Sequence, residues 1–259
     1  YDPITIQMQR LLLIILTAIF CSGPLNAQIN TEQVTLMGRH ALYFDDYLTA
    51  IRYFNKVIET KPYLDKPYYY RAYAKFNLEH FLGAEADCDL CLERNPYLTE
   101  VYQLRGLSRI HNKNLQGAIA DYAKVLKDEP QEQNARYNRA LCYLEEKQYA
   151  DAEADIVQLL KVAPRHSKAF LVMAQLRFLQ ADTAGAVVWA DSLLKLTDRD
   201  DAAWGLRGKL ALATEQFEVA DSCLSKAILI EPAYADHYMM RAQARHALNH
   251  FDNAIADYD

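Results

Sequence analysis

The sequence contains one pair of cysteines at the spacing of a redox or metal site, Cys88 and Cys91. Two such thiols can form a reversible disulfide or supply two of the four ligands of a zinc ion. No second C-x-x-C completes a zinc site, and adjacent turns of one helix hold two thiols poorly for a disulfide. We therefore predict that both cysteines are small core residues, as is Cys142, with a disulfide as the alternative.

Two other groups have metal-ligating residue types. His246 and His250 stand four residues apart, but the Glu of an H-E-x-x-H zinc site is missing, so we predict surface histidines. The acidic run 198–201 lacks the glycine and distal Glu of a calcium loop, which indicates a turn and a helix N-cap. The chain also has no phosphate-binding glycine loop and no nucleophile elbow. We expect no catalytic activity, no cofactor and no metal.

Most of the chain consists of a 34-residue unit that recurs without insertion from Thr31 onward. In each unit, apolar residues recur at spacings of three and four in two segments separated by a short polar break. This periodicity predicts two amphipathic α-helices, the second ended by a proline. Among the six complete units, only the fifth lacks the proline and has Asp198 instead. The recurring residues are Ala50, Ala84, Ala118, Ala152, Ala186, Ala220 and Ala254, and Pro62, Pro96, Pro130, Pro164 and Pro232.

This pattern resembles the tetratricopeptide repeat (TPR) family, whose helix–turn–helix unit has the same period. The resemblance extends to Gly or Ala at repeat position 8, counted from the first residue of each unit. It implies an all-α fold, a right-handed α-solenoid of stacked helix–turn–helix repeats within residues 28–259. The predicted repeats are 31–64, 65–98, 99–132, 133–166, 167–200, 201–234 and a partial 235–259. The position-8 residues are Gly38, Ala72, Gly106, Ala140, Ala174, Gly208 and Ala242.

Arginine and aspartate recur together at repeat positions 7 and 23. Repeats two, three, four and seven carry both residues, and repeats one and five carry neither. This co-occurrence predicts an Arg–Asp ion pair between the two helices of one repeat, with a row of arginines for anionic ligands as the alternative. The sixth repeat departs from the pattern, because it combines Arg207 with Cys223. The four predicted pairs are Arg71–Asp87, Arg105–Asp121, Arg139–Asp155 and Arg241–Asp257.

The start of the chain has the pattern of a bacterial secretory signal peptide. Arg10 precedes an apolar run over residues 11–21, followed by a polar stretch and a cleavage motif at 25–27. The run is about half of the ~20 residues that span a bilayer, so we expect no stable membrane span. Cleavage would give a mature chain from Gln28. The alternative is an apolar N-terminal helix that caps the array.

We assign residues 1–27 to this N-terminal extension and signal, with translation starting at Met8. Cys21 suggests lipid attachment, as in a surface nutrient-binding lipoprotein. Phe20 precedes it, however, where bacterial lipoprotein signals have a small residue. An export signal predicts a periplasmic, outer-surface or secreted bacterial protein.

On the first helix of each repeat, positions 2, 5, 9, 12 and 13 point away from the packing stripe. The resemblance implies that this concave face holds a peptide or protein partner. The side chains there are mostly apolar or aromatic, which is typical of a binding surface, although neighbouring repeats or a further segment could also cover them. The carboxylate clamp of chaperone-binding TPR domains is absent. The candidate residues are Arg39, Lys66, Tyr69, Tyr73, Phe76, Leu107, Ile110, Tyr137, Leu141, Leu144, Lys168, Leu171, Gln175 and Phe178.

Composition narrows the class of partner. The chain is 51% apolar and 24% charged, which is ordinary for a folded protein. The net charge is −6, and no run of basic residues is longer than two. Both features argue against nucleic-acid binding. We therefore predict an exported, non-enzymatic scaffold for a protein or peptide. The alternative is the extracytoplasmic sensor or docking module of a longer signalling kinase or glycan-processing enzyme, since the sequence stops within a repeat.

Overall fold

A computed structural model describes residues 30–259, so the predicted export signal lies outside the described residues. The described part of the chain forms fourteen α-helices and no β-strand, which confirms the all-α prediction. None of these helices is long and apolar enough to cross a membrane. The helices are α1 (Thr31–Tyr43), α2 (Tyr47–Thr60), α3 (Lys66–Asn77), α4 (Phe81–Arg94), α5 (Thr99–His111), α6 (Leu115–Asp128), α7 (Gln133–Glu145), α8 (Tyr149–Val162), α9 (Ser167–Leu179), α10 (Thr183–Leu196), α11 (Asp201–Ala213), α12 (Phe217–Ile230), α13 (Ala235–Ala247) and α14 (Phe251–Tyr258).

The chain divides into two compact units. The N-terminal unit comprises α1–α4 and the C-terminal unit, residues 98–259, comprises α5–α14. Within each unit, the two helices of a repeat pack on each other, and each second helix packs on the first helix of the next repeat. First helices of successive repeats also touch, as α9 and α11 do. Stacking in chain order therefore buries the apolar faces that one repeat cannot bury alone.

The second helices end where the prolines predict, but the proline is not indispensable. The helix α8 ends at Val162, and Ala163 leaves helical geometry before Pro164. The helix α10 ends at the equivalent residue, Leu196, although no proline follows. There the next helix begins with its own N-cap, since the Asp200 carboxylate accepts a hydrogen bond from the backbone N–H of Ala203 at 3.1 Å. This confirms the predicted N-cap in the acidic run.

The turn between the two helices of each repeat contains a left-handed residue at position 15, and none of the seven is a glycine. In the third repeat, Lys113 has φ 62° and its N–H donates to the carbonyl of Ile110. The next N–H, of Asn114, donates to the carbonyl of Arg109 at 2.8 Å, which closes the helix C-terminus. The seven residues are Asp45, Glu79, Lys113, Lys147, Ala181, Glu215 and Asn249.

The small residues at position 8 let the helices of a repeat approach closely. A Cβ on Gly106 would lie 2.9 Å from Cζ of Tyr122, so the tyrosine ring occupies the room that glycine leaves. Ala118 is fully buried at the same interface. Cys88 and Cys91 are likewise fully buried, at the core positions predicted for them.

Four bidentate Arg–Asp pairs connect the helices of repeats two, three, four and seven, as predicted. In the third repeat, Arg105 donates through Nε and Nη2 to the two carboxylate oxygens of Asp121, at 3.0 and 2.6 Å. The Asp121 side chain is 3% exposed. Because the four arginines are bound by carboxylates of the same repeat, they do not form an open row for anionic ligands. The other pairs are Arg71–Asp87, Arg139–Asp155 and Arg241–Asp257.

Three of these aspartates also bind a second cation, at repeat position 11. Arg109 donates to Asp121 at 2.8 Å, and Arg245 donates to Asp257 at 2.9 Å. In the N-terminal unit, Lys75 takes this place beside Asp87. The co-occurrence of Arg and Asp at positions 7 and 23 gave no indication of this second cation.

The sixth repeat lacks the aspartate, and its arginine is correspondingly under-satisfied. Arg207 donates through Nε to Asp191 of the preceding repeat at 2.8 Å. That aspartate is 48% exposed, whereas Nη1 of Arg207 is buried with no hydrogen-bond partner. The fifth repeat has the buried Met173 and the half-buried Trp189 at the two positions, so its centre is apolar.

Candidate partner-binding surface

The C-terminal unit contains a pocket of about 760 Å³ formed by three successive first helices, α9, α11 and α13. We call it the three-helix pocket. All three helices contribute residues at repeat positions 5 and 9, because equivalent helices face the same way in a stacked array. Its walls include Leu171, Gln175, Phe178 and Leu179 of α9, Asp201, Gly205, Leu206 and Lys209 of α11, and Asp236, His237, Met239, Met240 and Gln243 of α13.

One wall of the three-helix pocket is apolar. Leu171, Leu206 and Met240 come from α9, α11 and α13, and each is only partly buried by its own helix neighbours. Leu206 and Phe178 also pack on the small buried cluster of Ala174 and Ala190. This wall offers apolar surface that a partner side chain could remove from water.

A row of hydrogen-bonding side chains follows one turn farther along each helix. Gln175, Lys209 and Gln243 all occupy repeat position 9. The ammonium group of Lys209 lies 5.7 Å from the ring centre of Phe178, within reach of a cation–π interaction. Amide and ammonium groups in one row can bind the carbonyl groups of a peptide backbone.

His237 is a buried polar residue in the pocket wall. It is 3% exposed, its ring lies 4.6 Å from that of Tyr234, and its Nδ1 has no hydrogen-bond partner. A Cβ on Gly205 would lie 2.4 Å from Nε2, so glycine makes room for the imidazole. Burial lowers the pKa of His237, which keeps the ring neutral at pH 7.

Two carboxylates lie beside His237 at the end of the pocket where α11 and α13 begin. Asp201 and Asp236 are in the first turns of these helices. Asp236 accepts a hydrogen bond from the Tyr234 hydroxyl, and this raises the pKa of Tyr234. In the described part of the chain, neither carboxylate takes part in an ion pair. This end of the pocket therefore carries uncompensated negative charge.

The structure brings three of the predicted site residues together in this pocket, namely Leu171, Gln175 and Phe178. Tyr137 and Lys168 line a separate pocket of about 300 Å³ with Arg165.

Other predicted residues of the C-terminal unit contribute to its core. Leu141 and Leu144 pack on the buried cluster of α7–α9, and Ile110 packs on the cluster around Tyr122. Leu107 is half-buried. The alternative of a covered stripe therefore applies in part.

Three of the five predicted residues of the N-terminal unit form aromatic or cation–π contacts. The guanidinium of Arg39 lies 5.6 Å from the ring centre of Tyr70, which is also 5.6 Å from the ring of Tyr69. Phe76 contacts Phe81. Tyr73 and Lys66 are exposed. No described contact assigns a role to this set.

Sequence reasoning missed the residues that α11 and α13 add to the pocket. The signal was present, because Gly205 and Met239 are the position-5 equivalents of Leu171, and Lys209 and Gln243 are the position-9 equivalents of Gln175. The burial of His237 had no such signal, since no other repeat has histidine at position 3.

The remaining candidates for chemistry lie apart from the pocket. His246 and His250 are exposed, as predicted for surface histidines. The thiols of Cys142 and Cys223 are buried, and burial raises the pKa of Cys142 to about 12. Over residues 30–259, no group of three or more His, Cys, Asp or Glu side chains is placed to hold a metal ion.

Comparison with known proteins identifies the repeat. Residues 104–161 and residues 201–234 match two family models of the tetratricopeptide repeat. None of the curated proteins compared matches the sequence significantly.

Solved structures share the fold at low sequence identity. A tetratricopeptide repeat protein from Parabacteroides merdae is 18% identical with a TM-score of 0.76, over 88% of this chain and 90% of that one. PilW, a type IV pilus biogenesis factor, is 19% identical with a TM-score of 0.67, over 79% and 94%. YrrB, described as a TPR protein with an unusual peptide-binding site, is 18% identical with a TM-score of 0.58, over 74% and 97%.

Proposed function

Because this chain is a tetratricopeptide repeat protein, we propose that it is a non-enzymatic scaffold that holds a segment of a partner protein in the three-helix pocket. The observation that carries the proposal is the pocket itself, an opening of about 760 Å³ between α9, α11 and α13. Its apolar wall and its row of position-9 side chains suit an extended or helical peptide. The peptide-binding description of YrrB is consistent with this use of the fold.

A charge placed on the apolar wall tests this proposal. Leu206→Asp puts a carboxylate on the wall and should abolish capture of the partner, because the partner's apolar side chain would then face a desolvated charge. The variant and the wild type are compared by affinity capture with cross-linking, in cells that express the natural gene.

Val188→Asp is the matched control. Val188 is 64% exposed on the second helix α10 and is not part of the pocket wall, so the same substitution there should leave capture intact. Phe178→Ala should give a weaker version of the Leu206 effect. A partner that the Leu206→Asp protein retains at the wild-type level would contradict the proposal.

We further propose that the protein is exported, on the basis of the signal pattern in the N-terminal sequence. The mass of the N-terminal peptide of the protein from its natural source tests this. Export with cleavage gives an N-terminus at Gln28, whereas a cytoplasmic protein that retains the residues before it would contradict the proposal.

A further inference from the structure

We infer that the three-helix pocket selects partner segments with an arginine or lysine, whose charged group pairs with Asp201 and Asp236. This inference rests on the proposed function, because it names the class of segment that the same pocket holds.

The first argument is charge. The two carboxylates lie on the pocket wall in the first turns of neighbouring first helices, and neither is paired with a cation among residues 30–259. Asp201 is also the last residue of the acidic run 198–201, in which Arg199 is the single basic residue. The whole chain has a net charge of −6. A cationic partner therefore meets complementary charge at the site and favourable steering on approach.

The second argument is His237, which lies at the same end of the pocket. The imidazole is 3% exposed, lines the pocket, and has an Nδ1 with no hydrogen-bond partner. A buried polar group without a partner is rare in folded proteins and calls for an explanation such as a ligand site. A neutral imidazole does not neutralise Asp201 and Asp236, and it does not repel the arginine or lysine of a partner.

The third argument is the shape of an arginine or lysine side chain. Each has a long aliphatic stem and a charged end. The stem can pack on apolar surface while the charged end remains in a polar environment. The pocket offers both parts, with Leu206 and Met240 on the wall and the carboxylates at one end. Lys209 does not oppose this placement, because it lies eight residues beyond Asp201 on α11, about 12 Å along the helix axis.

A positional-scanning peptide library tests the inference. N-acetylated nine-residue peptides carry Arg, Lys, Gln or Glu at the centre and random residues elsewhere, and retention on the immobilised protein is measured for each pool. We expect the Arg and Lys pools to be retained about ten-fold more strongly than the Gln pool, a difference typical of one good charge pair, and the Glu pool least.

Two double variants with the same change of net charge distinguish the effect of the two pocket carboxylates from that of the protein's overall charge. In the pocket variant, Asp201→Asn with Asp236→Asn, retention of the Arg and Lys pools should fall to that of the Gln pool. Asp151→Asn with Asp252→Asn removes two exposed first-turn carboxylates of the second helices α8 and α14, outside the pocket wall, and should preserve the preference. Circular dichroism melts of both variants confirm that they fold.

The outcomes distinguish a failure of this inference from a failure of the proposed peptide-binding function. Equal retention of the Arg and Gln pools, or a preference for Glu, overturns the inference, and the proposed function stands if Leu206→Asp still abolishes retention. A preference that survives in the pocket variant also overturns it. No retention of any pool contradicts the proposed function as well.

Discussion

The third and fifth repeats fill the same space between their helices with opposite chemistry. In the third repeat, Asp121 is bound by Arg105 and Arg109, with a side chain that is 3% exposed. The fifth repeat has Met173 and Trp189 at the positions of Arg105 and Asp121. Both repeats nevertheless form helices with equivalent ends. The repeat fold therefore does not require the ion pair. We expect its stability to depend on how well the two positions match, because the mismatched sixth repeat leaves Nη1 of Arg207 buried without a hydrogen-bond partner.

The largest effect is expected when one partner is removed from a matched polar pair. Asp121→Ala leaves Arg105 and Arg109 buried without their carboxylate, and should lower the free energy of unfolding by about 3–5 kcal/mol. Urea unfolding followed by far-UV circular dichroism measures the change. Asp128→Ala is the control, because its i,i+4 pair with Lys124 is partly exposed and should contribute less than about 1 kcal/mol. Equal losses from both variants would refute a special role for the buried pair.

A second substitution tests matching by size. Position 8 is Ala174 in the fifth repeat, opposite the small Ala190, and Gly208 in the sixth, opposite Leu224. A Cβ on Gly208 would lie 2.5 Å from Cγ of Leu224. Gly208→Ala should therefore destabilise the protein by about 1–3 kcal/mol through overpacking. A thermal melt in which the variant is as stable as wild type would show that Leu224 moves aside freely.

The sixth repeat offers the converse test, since its arginine is only half matched. Arg207→Met copies the residue of the fifth repeat and removes a buried Nη1 that has no partner. We expect the free energy of unfolding, measured in urea, to rise by about 1 kcal/mol, because the variant lacks the unsatisfied buried donor. The same change at Arg105 should destabilise, since Asp121 would lose its bidentate partner. A loss of stability in both variants would mean that Asp191 is a sufficient partner for Arg207.

The smallest effect concerns the turns, which all repeats share. Ala181 adopts φ 62°, a conformation that alanine pays for by ~1–2 kcal/mol. Ala181→Gly relieves this strain but loosens the unfolded chain, so the net gain should be about 0.5 kcal/mol. Asn249→Gly should gain less, because asparagine tolerates the left-handed region. Equal midpoints for both variants in urea would contradict this account.

The sequence predicted the regular part of the molecule well, because each regular feature recurs. Helix ends follow from the proline period, and the buried pairs follow from the joint presence of Arg and Asp at fixed positions. The end of α10 at Leu196 was less predictable, since its signal was the N-cap of the next helix, Asp200.

The candidate site was predicted only in part. Leu171, Gln175 and Phe178 were found because they follow the helical stripe, but the same stripe also selected Leu141 and Leu144, which pack on the core. Periodicity gives the direction of a side chain, whereas exposure depends on the size of its neighbours. His237 could not be found this way, because its burial depends on the missing side chain of Gly205.

Two of the paired arginines at position 7, Arg71 and Arg241, also contact the repeat before them. Arg71 donates to Asn55 at 2.7 Å and Arg241 donates to Ser225 at 3.1 Å, each at position 25 of the preceding repeat. For these two arginines, the bidentate carboxylate contact stays within one 34-residue repeat, and the contact with the preceding repeat is to a short neutral acceptor. A genetic duplication or deletion of one whole block would keep every internal pair and join compatible ends. Such an array can change its length by recombination without redesigning its interior.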